Sequence, residues 1–310
     1  MLNLRGDTMK IRLTGILIVV MLLALPLSSF GAEAAKLRHA ATVYVDSKGG
    51  SVKLSEGVGC SEGPSFIVAD TGNGRLLKYS FEDNAVKGGV DIRVDQISYP
   101  VRVQLGPGGE IFALDGKQRR IVHLSPDGVF KGYLDPTGLP EPSTFVPRSF
   151  KIDSAGNVYI LDIFSNRVIV LDPSGKYLRH VEFPAKYGFF SDLAVDSQGM
   201  IFLLDSVDAI IYSAAKDAKE FSPGTQSLEG YVNFPTSIAV DNRGTIYLAD
   251  QNGSGIVVIG QDGSFLGRSV VFGWKDGFLR YPAQLCVNGK GEVYVADREN
   301  SRVQIFTVVK

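Results

Sequence analysis

The sequence predicts an all-β fold, a closed ring of six four-stranded antiparallel blades. Three observations carry this expectation. An apolar pentad ending in aspartate recurs six times, with the aspartates at 70, 115, 162, 205, 250 and 297 and steps of 45, 47, 43, 45 and 47. A fixed period of that size is the mark of a repeat architecture. Each period holds short β-patterned runs bounded by Asp, Asn and Gly turn signals. No helical period of comparable strength appears in the same stretch.

The fifth unit shows the internal order. Pro235-Thr236-Ser237-Ile238-Ala239-Val240 reads as a first strand and Asp241-Asn242-Arg243-Gly244 as a turn. Thr245 to Ala249 is a second strand and Ile256 to Ile259 a third. Gln261-Asp262-Gly263 turns the chain into a fourth strand that starts at Ser264-Phe265-Leu266. Asp, Asn and Gly suit such turns because they tolerate positive φ or bond their own backbone. Four antiparallel strands per unit of this length make one propeller blade. The sixth unit runs out after a third strand, Arg302 to Phe306, while a spare strand, Thr42-Val43-Tyr44-Val45, precedes the first unit. An unpaired edge is a liability, so the segment around His39 to Asp46 is expected to complete the sixth blade and close the ring.

Composition bounds the function. The chain has 310 residues, 45% of them hydrophobic, which supports a large core and excludes a disordered chain. Lys+Arg 32 against Asp+Glu 33 leaves a net charge of -1, so no bulk attraction draws it to nucleic acid. Lys10 and Arg12 precede a charge-free run from Gly15 to Leu27, followed by Ala32-Glu33-Ala34. That run is short of the ~20 apolar residues a transmembrane helix needs. The pattern predicts a signal peptide over 1–34 and one domain over 35–310. An uncleaved anchor is the alternative. The expected product is a periplasmic or secreted monomer with no stable membrane span.

The strings Ala69-Asp70-Thr71-Gly72-Asn73-Gly74-Arg75, Leu161-Asp162 to Asn166-Arg167-Val168, and Ala296-Asp297 to Asn300-Ser301-Arg302-Val303 resemble the NHL repeat. The resemblance extends over residues 55–310 and implies a six-bladed β-propeller. Arg follows Asp by five residues in units one, two, three and six (Arg75, Arg120, Arg167, Arg302), whereas Ile210 and Gly255 stand there in units four and five. Six equivalent Asp caps cannot all be one active site, so they read as structural: Asp accepts loop N–H groups and Arg lies within reach of a carboxylate. Units four and five should be capped differently.

Candidate site residues are those that break the repeat. Aligned on the pentads, the channel position holds Gly57, Arg102, Ser149, Asp192, Ser237 and Gln284, and the residue before it is Glu56, Val101, Arg148, Ser191, Thr236 or Ala283. Glu56, Arg102, Arg148, Asp192, Ser237 and Gln284 therefore converge on one axis, either as a ligand site or as a self-paired polar plug. Tyr99, Phe145, Phe189, Phe190, Phe234 and Tyr281 precede the first strands and read as wedges between blades. Trp274, in Phe272-Gly273-Trp274-Lys275, is the prime candidate for an exposed aromatic contact. Cys60 and Cys286 fall on the first strands of the blades that meet at ring closure; bridge and free thiols both remain open.

The resemblance implies several functions. A non-enzymatic propeller that binds a protein, peptide or glycan at one face is the expected one. The alternative is a metal-dependent lactone hydrolase-like enzyme, whose family is similar at Glu56-Gly57 but not at Ser191, Thr236 and Ala283. Zinc-dependent amidating lyases of this fold use channel histidines, and His39, His123 and His180 map elsewhere. No catalytic residue, metal or cofactor, and no nucleic-acid partner, is expected.

Overall fold

The computed structural model describes residues 36–186 and 188–309. The expected signal peptide lies outside the described residues. Six four-stranded antiparallel sheets form the blades; five run in sequence order from the central channel outward, and the sixth takes its outermost strand from the start of the described chain. Blade 1 comprises Gly57–Cys60, Ser65–Asp70, Arg75–Glu82 and Ala85–Ile92. The innermost strands of blades 2 to 6 are Pro100–Leu105, Pro147–Ile152, Phe190–Val195, Pro235–Val240 and Pro282–Val287. Two 3-10 turns, Thr71–Asn73 and Arg298–Asn300, are the helical pieces among the described residues.

Ring closure follows the sequence expectation. The strand Lys36–Val43 pairs antiparallel with Arg302–Val309, from Lys36 opposite Val309 to Val43 opposite Val303. It thereby becomes the outermost strand of blade 6. Asp46, just beyond it, accepts from Arg75 Nη1 at 2.6 Å and so ties the closing strand to blade 1 as well. The Gly50 N–H, then Arg75, hold the Asp46 carboxyl at about 2, below the ordinary carboxylate range.

The apolar residues form layers between consecutive blades rather than one central core. Phe66, Tyr79 and Val68 of blade 1 pack on Tyr294, Val303 and Ile305 of blade 6, with Val43 of the closing strand among them. Val158, Ile160 and Ile169 of blade 3 likewise meet Leu114 and Ile121 of blade 2. The pentads are buried on both faces because each sheet is covered on both sides by its neighbours, which is why they read as continuous apolar runs.

The Asp caps behave as structural groups. Asp115 accepts from the backbone N–H groups of Ser98, Tyr99, Lys117 and Gln118. Burial acts to raise its carboxyl, but those N–H groups hold it below the ordinary range. Arg75 and Arg302 reach Asp70 and Asp297 at 2.6 Å, and Arg167 stands 3.6 Å from Asp162. Blade 2 departs from the expectation. Arg120 lies over the Tyr133 ring at 3.4 Å and pairs with Asp135, because backbone donors already fill Asp115. In blade 5, where Gly255 replaces the arginine, Arg268 of the fourth strand supplies the guanidinium to Asp250 at 2.7 Å. The residue before every third strand takes positive φ: Gly74, Arg119, Asn166, Ala209, Ser254 and Ser301 lie between 51° and 60°. Five residue types at six positions adopt one backbone turn, so tertiary pairing imposes it over local preference.

Cys60 and Cys286 form a disulfide between the inner strands of blades 1 and 6, with a Cα–Cα distance of 6.0 Å. The closure is thus doubled, by a strand at the rim and a covalent bond at the hub. Replacing both cysteines by serine is expected to cost about 2–5 kcal/mol, near the lower end because the closing strand already restrains the ends. Chemical denaturation of the two forms measures this, and coincident midpoints would show that the bond adds no stability.

Candidate functional site: the channel and the upper rim

The upper face carries the loops between second and third strands and the connections into each first strand. In blades 2 to 5 the register of the innermost strand slips by one residue at its start, between Pro100/Arg102, Pro147/Ser149, Phe190/Asp192 and Pro235/Ser237. In blade 6 the slip runs from Pro282 to Leu285. Bulges re-aim side chains, and these release Val101, Arg148, Ser191, Thr236 and Ala283 from the ladder at the channel mouth.

One level down, Asp192 is fully buried. Oδ1 accepts from Ser149 Oγ at 2.5 Å and Leu193 N at 2.9 Å, and Oδ2 from Ser237 Oγ at 2.7 Å and Ile238 N at 3.1 Å. The carboxylate therefore clasps blades 3, 4 and 5, and its pairing with the channel arginines did not materialise. Arg102 instead donates to the carbonyls of Val101 at 3.1 Å and Thr236 at 3.4 Å, the latter across the ring on blade 5. Gln284 Oε1 accepts from Val58 N at 3.2 Å and Val103 N at 3.4 Å, linking blade 6 to blades 1 and 2. A Cβ at Gly57 would lie 3.0 Å from that oxygen, so glycine makes room for the amide.

Glu56 has partners that the sequence did not suggest. Arg298 Nε donates to its Oε1 at 3.1 Å and Tyr99 OH at 3.2 Å. Arg298 also pairs with Glu299 at 2.5 Å. The nearby Glu56 charge, then burial, pushes the Tyr99 phenol above its ordinary range. Arg148 donates to the Phe190 carbonyl at 3.0 Å and lies 4.3 Å from the Phe189 ring centroid. It lines a cleft of about 400 Å³ with Ile163, Asn166, Phe183 and Phe190.

At the rim between blades 5 and 6, Trp274 is 67% exposed and Phe272 51% exposed. Their rings meet edge to face at 5.5 Å. The Arg280 guanidinium lies 5.5 Å from the Trp274 centroid and 5.8 Å from that of Phe272. It forms no ion pair with a carboxylate among the described residues, and its Nε has no hydrogen-bond partner. The wedge expectation divides: Phe190 is buried between blades, whereas Phe189 and Tyr281 are exposed at the rim. Arg280 and Arg298 went unnoticed in the sequence because they flank the repeated motifs and read as loop residues. Their signal is departure from the repeat at the rim, the same rule that picks out Arg102.

The residues at the mouth do not fit a divalent ion. Glu56 is the one carboxylate of the mouth ring and is held by Arg298 and Tyr99, while Asp192 is saturated by four donors. Hard cations take several oxygen ligands at once, and Ser191, Thr236 and Ala283 complete no such set. The three histidines stand away from the axis: His39 on the closing strand, His123 on Arg120–Leu124 and His180 on Tyr177–Glu182.

Among solved structures, a streptogramin B lyase matches with a TM-score of 0.60 and 13% identity, covering 88% of this chain and 97% of that one. A gluconolactonase from Xanthomonas campestris matches with a TM-score of 0.64 and 14% identity, covering 91% and 93%. A luciferin-regenerating enzyme matches with a TM-score of 0.62 and 15% identity, covering 88% and 95%. At such identities the likeness is one of fold. No curated protein matches the chain in sequence. The NHL repeat pattern matches residues 279–306, the stretch that enters blade 6 and spans its three C-terminal strands. The chain is thus a six-bladed β-propeller whose residues 279–306 match the NHL repeat.

Proposed function

We propose that this propeller is a non-enzymatic, extracytoplasmic binding module whose upper face engages an anion-bearing peptide or glycan. The observation that carries the reading is Arg280, a guanidinium with no carboxylate partner among the described residues, set against the exposed rings of Phe272 and Trp274. Exposed aromatic area beside an unneutralised arginine offers stacking and a charge-assisted bond to one ligand. A polar track of Arg298, Glu56 and Tyr99 runs from this patch toward the channel mouth, where Arg102 and Arg148 lie. The compartment is inferred from the leader-like pattern of residues 1–34.

The test is an array of acidic oligosaccharides and peptides, followed by calorimetry with the tightest binder. A charge-assisted hydrogen bond contributes roughly 1.5–3 kcal/mol, so Arg280→Ala, Arg102→Ala or Arg148→Ala should weaken binding about ten- to a hundredfold. Trp274→Ala should weaken it comparably, with the exposed Lys87→Ala as control. Unchanged affinity in all four variants would remove the upper face as the site.

A metal-dependent lactone hydrolase is the second reading, motivated by overlap with a gluconolactonase over 91% of the chain. Turnover of gluconolactone with stoichiometric calcium or zinc, both lost in Glu56→Ala, would establish it. The donor set at the mouth argues against that outcome.

A further inference from the structure

We propose that the interior of the channel, below the mouth, binds a small monovalent anion between Lys151, Gln104, Gln284 and Arg102. This does not depend on the reading of the upper face. Gln104 and Lys151 occupy equivalent register positions on the innermost strands of blades 2 and 3, opposite Phe112 and Tyr159 respectively. Each lies two residues beyond the channel position held by Arg102 or Ser149. At the same level blades 4, 5 and 1 carry Ala194, Ala239 and Gly59, and blade 6 carries Cys286 of the disulfide. Two long polar side chains thus share a layer with four small residues.

The donors of this layer lack acceptors. Gln104 and Lys151 are each 8% exposed and Gln284 is fully buried. Gln104 Nε2, Gln284 Nε2 and Arg102 Nε have no hydrogen-bond partner. Gln284 Oε1 is engaged by Val58 N and Val103 N, so its amide orientation is fixed with the NH2 group left over. The Lys151 ammonium has no hydrogen bond or ion pair among the described residues. Asp192 is close enough to act on it electrostatically, but both Asp192 oxygens are occupied by two serine hydroxyls and two backbone N–H groups. Buried polar groups are almost always paired; three orphan donors on the inner strands, with Gln104 level with Lys151 and Arg102 acting on that lysine, need an acceptor.

Charge selects the acceptor. Arg102 and Lys151 bring two positive charges to a channel interior with one carboxylate, which leaves a surplus of one. Water would accept from two donors and would leave that surplus standing. A small monovalent anion, a carboxylate or a halide, accepts from all four groups and neutralises it. Burial, and then Arg102, act to lower the Lys151 amine below the usual lysine range, with Asp192 opposing; a bound anion would reverse that direction.

The test uses the full mature chain, freed of anions by dialysis and melted at constant ionic strength with increasing sodium formate or sodium bromide. Ligand that binds only the folded state raises the melting temperature, here by about 5 °C at a hundredfold excess over Kd. Lys151→Met and Gln104→Leu should both respond less, Lys151→Met not at all. Both replace a buried polar group with an apolar one of similar size, so both should fold. Parallel melting curves for wild type and Lys151→Met at every formate and bromide concentration overturn the proposal.

Discussion

Deleting residues 36–46 is expected to lower the melting temperature by about 10 °C or more. The closing strand pairs along Val303–Val309 and buries Val43 against blades 1 and 6. Ala40 and Ala41 pack on the same layer, and Leu37 on the layer between blades 5 and 6. Asp46 supplies one of three carboxylates around the buried Arg75 guanidinium. A buried valine contributes about 1.5–3 kcal/mol, and with the other contacts the loss is on the order of 5 kcal/mol. At about 2–4 °C per kcal/mol that gives the stated shift. The deletion also bares Arg302–Val309 as an exposed edge, so aggregation should accompany it. Calorimetry of the chain with and without residues 36–46 decides the point; melting within a degree or two of each other would falsify closure by this strand.

Arg302→Ala is expected to be the most damaging single substitution, at about 3–5 kcal/mol. Arg302 is 1% exposed and joins four segments. It donates to Asp297 at 2.6 Å, to Asp276 at 2.9 Å, to Tyr44 OH at 3.0 Å and to the carbonyls of Trp274, Lys275 and Phe278. Removing it leaves Asp297 buried without its cation. Burial already pushes that carboxyl above its ordinary range, against the Arg280 N–H, Asn300 and Arg302, which pull it down. In the variant the Asp297 carboxyl should rise further above its ordinary range, visible as an upward-shifted titration by carbonyl-region NMR. Arg120→Ala is the comparison, since Arg120 occupies the equivalent position but is exposed and should cost under about 1 kcal/mol. Equal losses in the two variants would contradict the assignment of Arg302 as a buried hub.

The ring was legible because its signal is repeated. Six pentads, six turns and six caps each report the same local geometry, and a single deviation cannot hide the period. Ring closure was legible because a missing strand and a spare one are complementary. The pairing of polar residues at the axis was not. Neighbours there come from blades more than forty residues apart, and which side chain meets which depends on their height along the channel. By charge alone Arg102 belongs with Asp192; by height Asp192 meets Ser149 and Ser237, and their hydroxyls took it. The pairing of Glu56 with Arg298 escaped notice for the same reason, since they meet only across the closure. Arg268 shows the converse: the fourth strand replaced a guanidinium that the motif had lost. Lys151 was hidden inside an ordinary β pattern, Ser149-Phe150-Lys151-Ile152, where alternation makes a lysine look solvent-facing.

The shared sixth blade also dictates when folding can finish. Residues 36–43 leave the ribosome early, yet their partner strand, 302–309, is among the last residues made. Through most of synthesis the early strand has nothing to pair with, and blade 1 lacks its neighbour on one side. Blades 2 to 5 can form from local hairpins as they emerge, but the final velcro-like zippering waits for a contact of very high sequence separation, which is slow to find. The half-built ring exposes apolar faces throughout that interval. A chain of this design should therefore depend on holdase chaperones while it folds, and should release them only when the last strand docks.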